Sequence, residues 1–197
     1  MTAATPAIPT AAEWRLPDRG RVAIAALIVA ETAVFTIFVA AYLYYVGKSL
    51  GGPTPREVLR LPVLISILLW SSSVTIHLAV RALRAGRLRG FTGWWFATLA
   101  LGAIFLAGTG LEWYRLIFRE GLTIRTNLFG TTYYSLVGLH ASHVIVGLVM
   151  LTTVFALALR GYVKVEHAGR AEVLSLYWHF VDAVWVVVFL VVYVVGR

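Results

Sequence analysis

Apolar and polar positions fall in long blocks along this chain. Five stretches are almost wholly apolar: approximately Val22–Val46, Leu61–Val80, Phe91–Leu111, Thr131–Leu159 and Val173–Val195. An α-helix needs about 20 such residues to cross the hydrocarbon core of a bilayer. Inside that core no water is available, so backbone polar groups must bond within their own segment, which selects helix. The pattern therefore predicts an all-α, polytopic membrane protein, a bundle of five transmembrane helices. The third helix is expected to run past its apolar part toward Phe118. The breaks between blocks are rich in turn formers: Gly51-Gly52-Pro53-Thr54-Pro55, Arg84-Ala85-Gly86-Arg87-Leu88-Arg89-Gly90, Glu120-Gly121 with Thr126-Asn127, then Gly161 and Gly169. These loops are short, so helices adjacent in sequence are expected to be neighbours in space. No internal repeat is visible. The chain divides into a polar N-terminal tail, residues 1–20, and one membrane domain, residues 21–197. Pro6, Pro9, Trp14 and Pro17 leave the tail without an apolar core, so a cleaved signal peptide is not expected.

Composition sharpens this picture in three ways. Apolar residues make up 60% of the chain and charged ones 13%, with a mean hydropathy of +0.83, which places it in the membrane class. The net charge of +8 comes from short basic clusters between apolar runs. Cations so placed anchor loops at phospholipid headgroups and set topology, and no nucleic-acid partner is expected. With the N-terminus inside, the inner segments hold ten Lys and Arg residues (Arg15, Arg19, Arg21, Arg81, Arg84, Arg87, Arg89, Arg160, Lys164, Arg170) and the outer segments seven. The bias favours the N-terminus inside and the C-terminus outside. Cysteine is absent, which removes disulfides, thiolate metal sites, iron–sulfur clusters and cysteine nucleophiles.

Ionisable side chains within lipid are costly, and each needs a partner or a task. Glu31 lies well inside the first span, with Phe35, Phe38 and Tyr42 on the same helical face. It reads either as a proton-exchanging group or as a neutral carboxyl hydrogen-bonded to a neighbouring helix. His77 follows Ser71, Ser72, Ser73 and Thr75 and reads as a hydrogen-bonding residue at a helix contact. Glu112 ends the apolar part of the third span, with Arg115 and Arg119 at i+3 and i+7, spacing suited to an ion pair within the helix. His140 and His143 share a face of the fourth span, continued by Gly147. A haem needs facing ligands and zinc three or four, and no converging set is evident. His179 and Asp182 open the fifth span at i, i+3, flanked by Trp178 and Trp185, as a proton relay or as a self-satisfied pair that orients one helix against the next. Phosphate-cradling glycine loops, G-x-S-x-G and H-E-x-x-H are absent, so no catalytic residue is assigned.

Several of these segments, in order, resemble subunit III of the haem–copper terminal oxidases, the cytochrome c oxidases and their quinol-oxidase relatives. Tyr177-Trp178-His179-Phe180-Val181-Asp182-Ala183-Val184-Trp185 is similar to that family's Y-W-H-F-V-D-x-V-W signature, and Glu172 falls where the family carries a glutamate. Gly138 to Gly147 is similar to its G-x-H-x-x-H-V-x-x-G stretch. Glu31-Thr32-Ala33-Val34-Phe35, with Ala41-Tyr42, looks like the segment with the buried glutamate. Thr75-Ile76-His77 and Glu112-Trp113 match two further regions, although Thr109 stands where glutamine is usual. The resemblance runs from about Val22 to the C-terminus. Many members have seven spans; the five here match the short bacterial form.

The resemblance implies a non-catalytic subunit of a respiratory cytochrome c oxidase in the bacterial cytoplasmic membrane. Such a subunit carries no haem, copper or other metal; those cofactors are expected in the catalytic subunit I and subunit II, its partners. Bound phospholipid and contact with other respiratory complexes are expected as well. On this reading Glu31 handles protons. His77, Glu112, His140 and His143 form a buried polar cluster. Glu172, Trp178, His179 and Asp182 lock the last helix and border the headgroups, with Trp178 as an interfacial anchor. The electron donor, cytochrome c or quinol, is not encoded in this chain, and related five-span proteins also accompany nitric-oxide reductases. Two readings of another class use the same residues: a stand-alone haem b cytochrome ligated by His140 or His143 with His77 or His179, and a small proton transporter centred on Glu31.

Overall fold

The computed structural model describes residues 18–196; the expected N-terminal tail, apart from its last three residues, lies outside them. Among the described residues every regular element is helical, and five helices are long and apolar enough to cross a membrane. They are α1 (Arg19–Tyr45), α3 (Val63–Arg84), α4 (Leu88–Phe118), α5 (Leu128–Leu159) and α6 (Ala168–Phe189). A single turn, α2 (Pro55–Val58), lies between α1 and α3. One turn of 3-10 helix, Val165–His167, leads into α6, and a π-helical segment, Leu190–Val195, ends it.

Local chemistry explains the boundaries. α4 reaches Phe118, as the sequence suggests, and its 31 residues extend about 46 Å at 1.5 Å per residue. That exceeds the hydrocarbon thickness, so its charged end stands in the headgroup zone. Gly86 and Gly161 end α3 and α5 with φ of 71° and 76°. In that left-handed conformation the following amides fold back onto the last turn, Arg87 N–H to the Ala82 carbonyl at 2.9 Å and Tyr162 N–H to the Leu157 carbonyl at 3.0 Å. α2 was not expected. Pro55 pre-sets its first turn, and the Glu57 carboxylate accepts the Thr54 amide at 2.8 Å, a reciprocal cap that holds the exposed Glu57 carboxyl below its ordinary range.

α3, α4, α5 and α6 form a four-helix bundle, and α1 packs on its α5/α6 side. The core is aromatic: Trp95, Phe105, Tyr133, Trp178, Trp185 and Tyr193 are all buried. In lipid, close approach and interhelical hydrogen bonds replace the hydrophobic drive between helices. Both are present here. Gly102 on α4 and Gly147 on α5 leave room for the Trp178 ring. The serines of α3 receive the indoles of α6, Trp178 Nε1–H to Ser72 Oγ at 2.8 Å and Trp185 Nε1–H to Ser66 Oγ at 3.0 Å.

Candidate functional site

α1 brings Glu31 against α5. Its Oε2 lies 3.1 Å from His143 Nε2, and Phe35, one turn along, packs on the imidazole with ring centroids 5.1 Å apart. The other ring nitrogen, His143 Nδ1, is 2.8 Å from the Leu139 carbonyl. A carbonyl only accepts, so Nδ1 carries a hydrogen. In the neutral imidazole Nε2 is then a lone pair, and a carboxylate beside it would only repel. The contact therefore requires one proton between the two groups, held on Glu31 or on His143. Tyr177 of α6 donates to the His143 backbone carbonyl at 3.1 Å, which ties α6 to the pair.

The pair stands in the wall of a cavity of about 820 Å³ between α1, α5 and α6. Leu27, Val146, Met150 and Leu174 give it an apolar lining, and Arg170 lies near one end. The wall runs along α1 from Gly20 to Glu31, about 17 Å of helix. An elongated apolar space with a cation at its rim and a protonatable pair in its depth suits an amphiphile.

Beside the Gly20 end, the Glu172 carboxylate accepts from Arg21 of α1 at 2.8 Å and Arg84 of α3 at 2.6 Å. One carboxylate thus joins three helices at the level of the basic loops. The other expected members of the locking group sit deeper. His179 and Asp182 are joined through α3, not to each other. His179 Nδ1–H donates to Ser73 Oγ at 3.0 Å, and the Ser73 hydroxyl donates to Asp182 Oδ2. Trp178 is not an interfacial anchor, because its ring is wholly buried and its N–H is spent on Ser72.

The four residues expected as one polar cluster make no hydrogen bond or ring contact with one another among the described residues. His143 belongs to Glu31. His77 is exposed on α3, on the His179 side. Glu112 Oε2 accepts from Tyr193 at 3.1 Å. His140 stacks on Trp185 at 4.9 Å and meets the edge of Phe105. Arg115 forms no ion pair with Glu112 among the described residues, although both line one cavity; it donates to the Val58 carbonyl at 2.7 Å and pairs with Glu120 at 3.5 Å. Spacing along a helix shows which side chains share a face; it does not show which helix that face meets. No group of three or more His, Asp or Glu residues able to hold a metal converges among the described residues. Sequence reasoning missed Ser73, Tyr193 and Arg84 as partners. Only the Ser71-Ser72-Ser73 run carried a signal, as a close-contact stretch.

The sequence pattern of the family described as Cytochrome c oxidase subunit III matches residues 21–197, every span included. The chain belongs to that family. Cytochrome c oxidase subunit 3 of Synechocystis sp. is 39% identical over 182 residues, covering 90% of this chain and 76% of that protein. The protein of the same name from a Bacillus species is 36% identical over 170 residues, 84% of this chain and 81% of the relative. Quinol oxidase subunit 3 of Bacillus subtilis is 31% identical over 169 residues, 85% and 82% of the two chains. As a subunit III, the chain is a multi-pass membrane protein and part of an oxidase complex.

Proposed function

We propose that this chain is the cofactor-free subunit III of a respiratory haem–copper cytochrome c oxidase, with the Glu31–His143 pair as its proton-handling element and the adjoining cavity as a phospholipid site. The observation that carries the reading is the 3.1 Å contact between Glu31 Oε2 on one helix and His143 Nε2 on another, in the wall of an apolar cavity. Acyl chain fills the cavity, with Arg170 near the phosphate. The chain has no active site of its own. It buttresses the catalytic subunit I, beside subunit II, in the bacterial cytoplasmic membrane, and those partners hold the haem and copper. The N-terminus lies inside with the basic loops, by the excess of cations there. The family description and the Synechocystis and Bacillus relatives carry the name cytochrome c oxidase, which supports cytochrome c as the donor.

The test uses the purified oxidase complex under sustained turnover. Glu31→Ala is expected to keep the initial rate and shorten the active lifetime, with loss of co-purifying phospholipid. Lifetimes equal to wild type would remove Glu31 from the mechanism. A complex that oxidises quinol and not cytochrome c would reassign the donor.

A further inference from the structure

At the end of the bundle opposite the Arg21–Glu172–Arg84 clamp lies a second set of buried polar groups. Glu112 Oε2 takes the Tyr193 hydroxyl at 3.1 Å, and Tyr193 meets the Tyr133 hydroxyl at 3.2 Å. Both tyrosines are buried, at 2% and 0% exposure. Beside this pair of hydroxyls Glu112 Oε1 and Trp113 Nε1 have no partners among the described residues, and two turns further along α5 both ring nitrogens of His140 have none either. His140 lies two turns from Tyr133 on the same face of α5, and its stacking partner Trp185 also neighbours Tyr193. Buried polar atoms are rarely left unpaired in folded proteins, and ordered water commonly supplies the missing partner.

Two further observations point to an occupant. Glu112 lines a cavity of about 230 Å³ that extends between Arg60–Ile65 and Gly108–Arg115, and Arg60 is exposed at its rim. That volume exceeds what one water needs. The segment that presents Tyr193 is π-helical, a geometry that departs from the regular hydrogen-bond ladder and recurs at functional sites.

We propose that Glu112, Trp113, Tyr133, His140 and Tyr193 form a hydrated site, binding ordered water that exchanges with the aqueous phase through the cavity rimmed by Arg60. Its donors and acceptors are complementary: the carboxylate oxygen accepts, the indole donates, and the hydroxyls and imidazole do either. Water bridging them satisfies the unpaired atoms and gives subunit III an exchangeable polar port separate from the Glu31 pair. Glu31 and the phospholipid cavity take no part in it, so it stands whether or not that reading holds.

Hydroxyl-radical footprinting of the intact oxidase complex tests this. X-ray pulses generate radicals from bound water, and mass spectrometry locates the oxidised side chains. Tyr133 and Tyr193 are expected to be oxidised despite their burial. Trp95 and Trp178, equally buried but bonded directly to the Leu151 carbonyl and Ser72, are expected to stay unlabelled. The wild-type comparison alone can overturn the proposal: tyrosines as silent as these tryptophans mean a dry site. Glu112→Leu is expected to abolish the labelling at both tyrosines, and labelling that persists in that variant would also sink the proposal.

Discussion

Trp178 rests on Gly147, and the absence of a side chain at that glycine is what admits the ring. A methyl group at Gly147 would come within 2.8 Å of the indole, and one at Gly102, on another helix, would do the same. The ring cannot retreat from one helix without striking the other. Gly147→Ala is therefore expected to cost about 1–3 kcal/mol by overpacking, read as a lower melting temperature of the oxidase complex or loss of this subunit on detergent extraction. Gly147→Ala combined with Trp178→Phe should recover part of the loss. A single variant as stable as wild type would show that the helices slide apart freely.

Ser73 is the atom-level link between α3 and the end of the signature that carries His179 and Asp182. Ser73→Ala leaves a buried carboxyl and an imidazole without their shared partner, at a cost of about 1–3 kcal/mol. Ser71→Ala is the control, since its hydroxyl reaches only the Ile67 carbonyl on its own helix and should change nothing measurable. Thermal unfolding of both variants in the complex distinguishes a specific link from a general polar stretch.

Glu172→Gln removes the counter-charge of Arg21 and Arg84. The arginine side chains are 56% and 53% exposed, so solvent screens the pair and the loss is at most about 1 kcal/mol. That corresponds to amide exchange about fivefold faster in the first turns of α1, measured by deuterium uptake. Exchange around His143 should not change. Faster uptake throughout α5 would mean that the clamp supports the whole bundle.

The native chain has no cysteine, so single cysteines report topology against a clean background. Arg125→Cys, in the exposed α4–α5 loop, should react with a membrane-impermeant maleimide in intact cells. Arg87→Cys, in the exposed α3–α4 turn, should react only after permeabilisation. The reverse pattern would invert the proposed orientation.

The number and approximate extent of the spans were legible because hydropathy reports directly on transfer from water. The extension of α4 to Phe118 was legible for the same reason, as helical sequence beyond the apolar run. Thr54 and Glu57 carry the spacing of a cap, but the glycines and prolines around them read as a simple break, and α2 was missed. Partnerships were not legible. His140 and His143 share one face of α5, yet one stacks on Trp185 and the other meets Glu31, because three neighbouring helices contact that face at different heights. The π-helical end of α6 had no signal at all, since nothing in Leu190–Val195 distinguishes it from ordinary apolar helix.

The position of α1 has a consequence for biogenesis. It is the first of the five helices to leave the ribosome, yet the helices it packs on, α5 and α6, are the last. During synthesis Glu31 must wait in the membrane until His143 has been made. Docking of α1 therefore follows the insertion of α5 and α6, the earliest of these five helices joining the two latest.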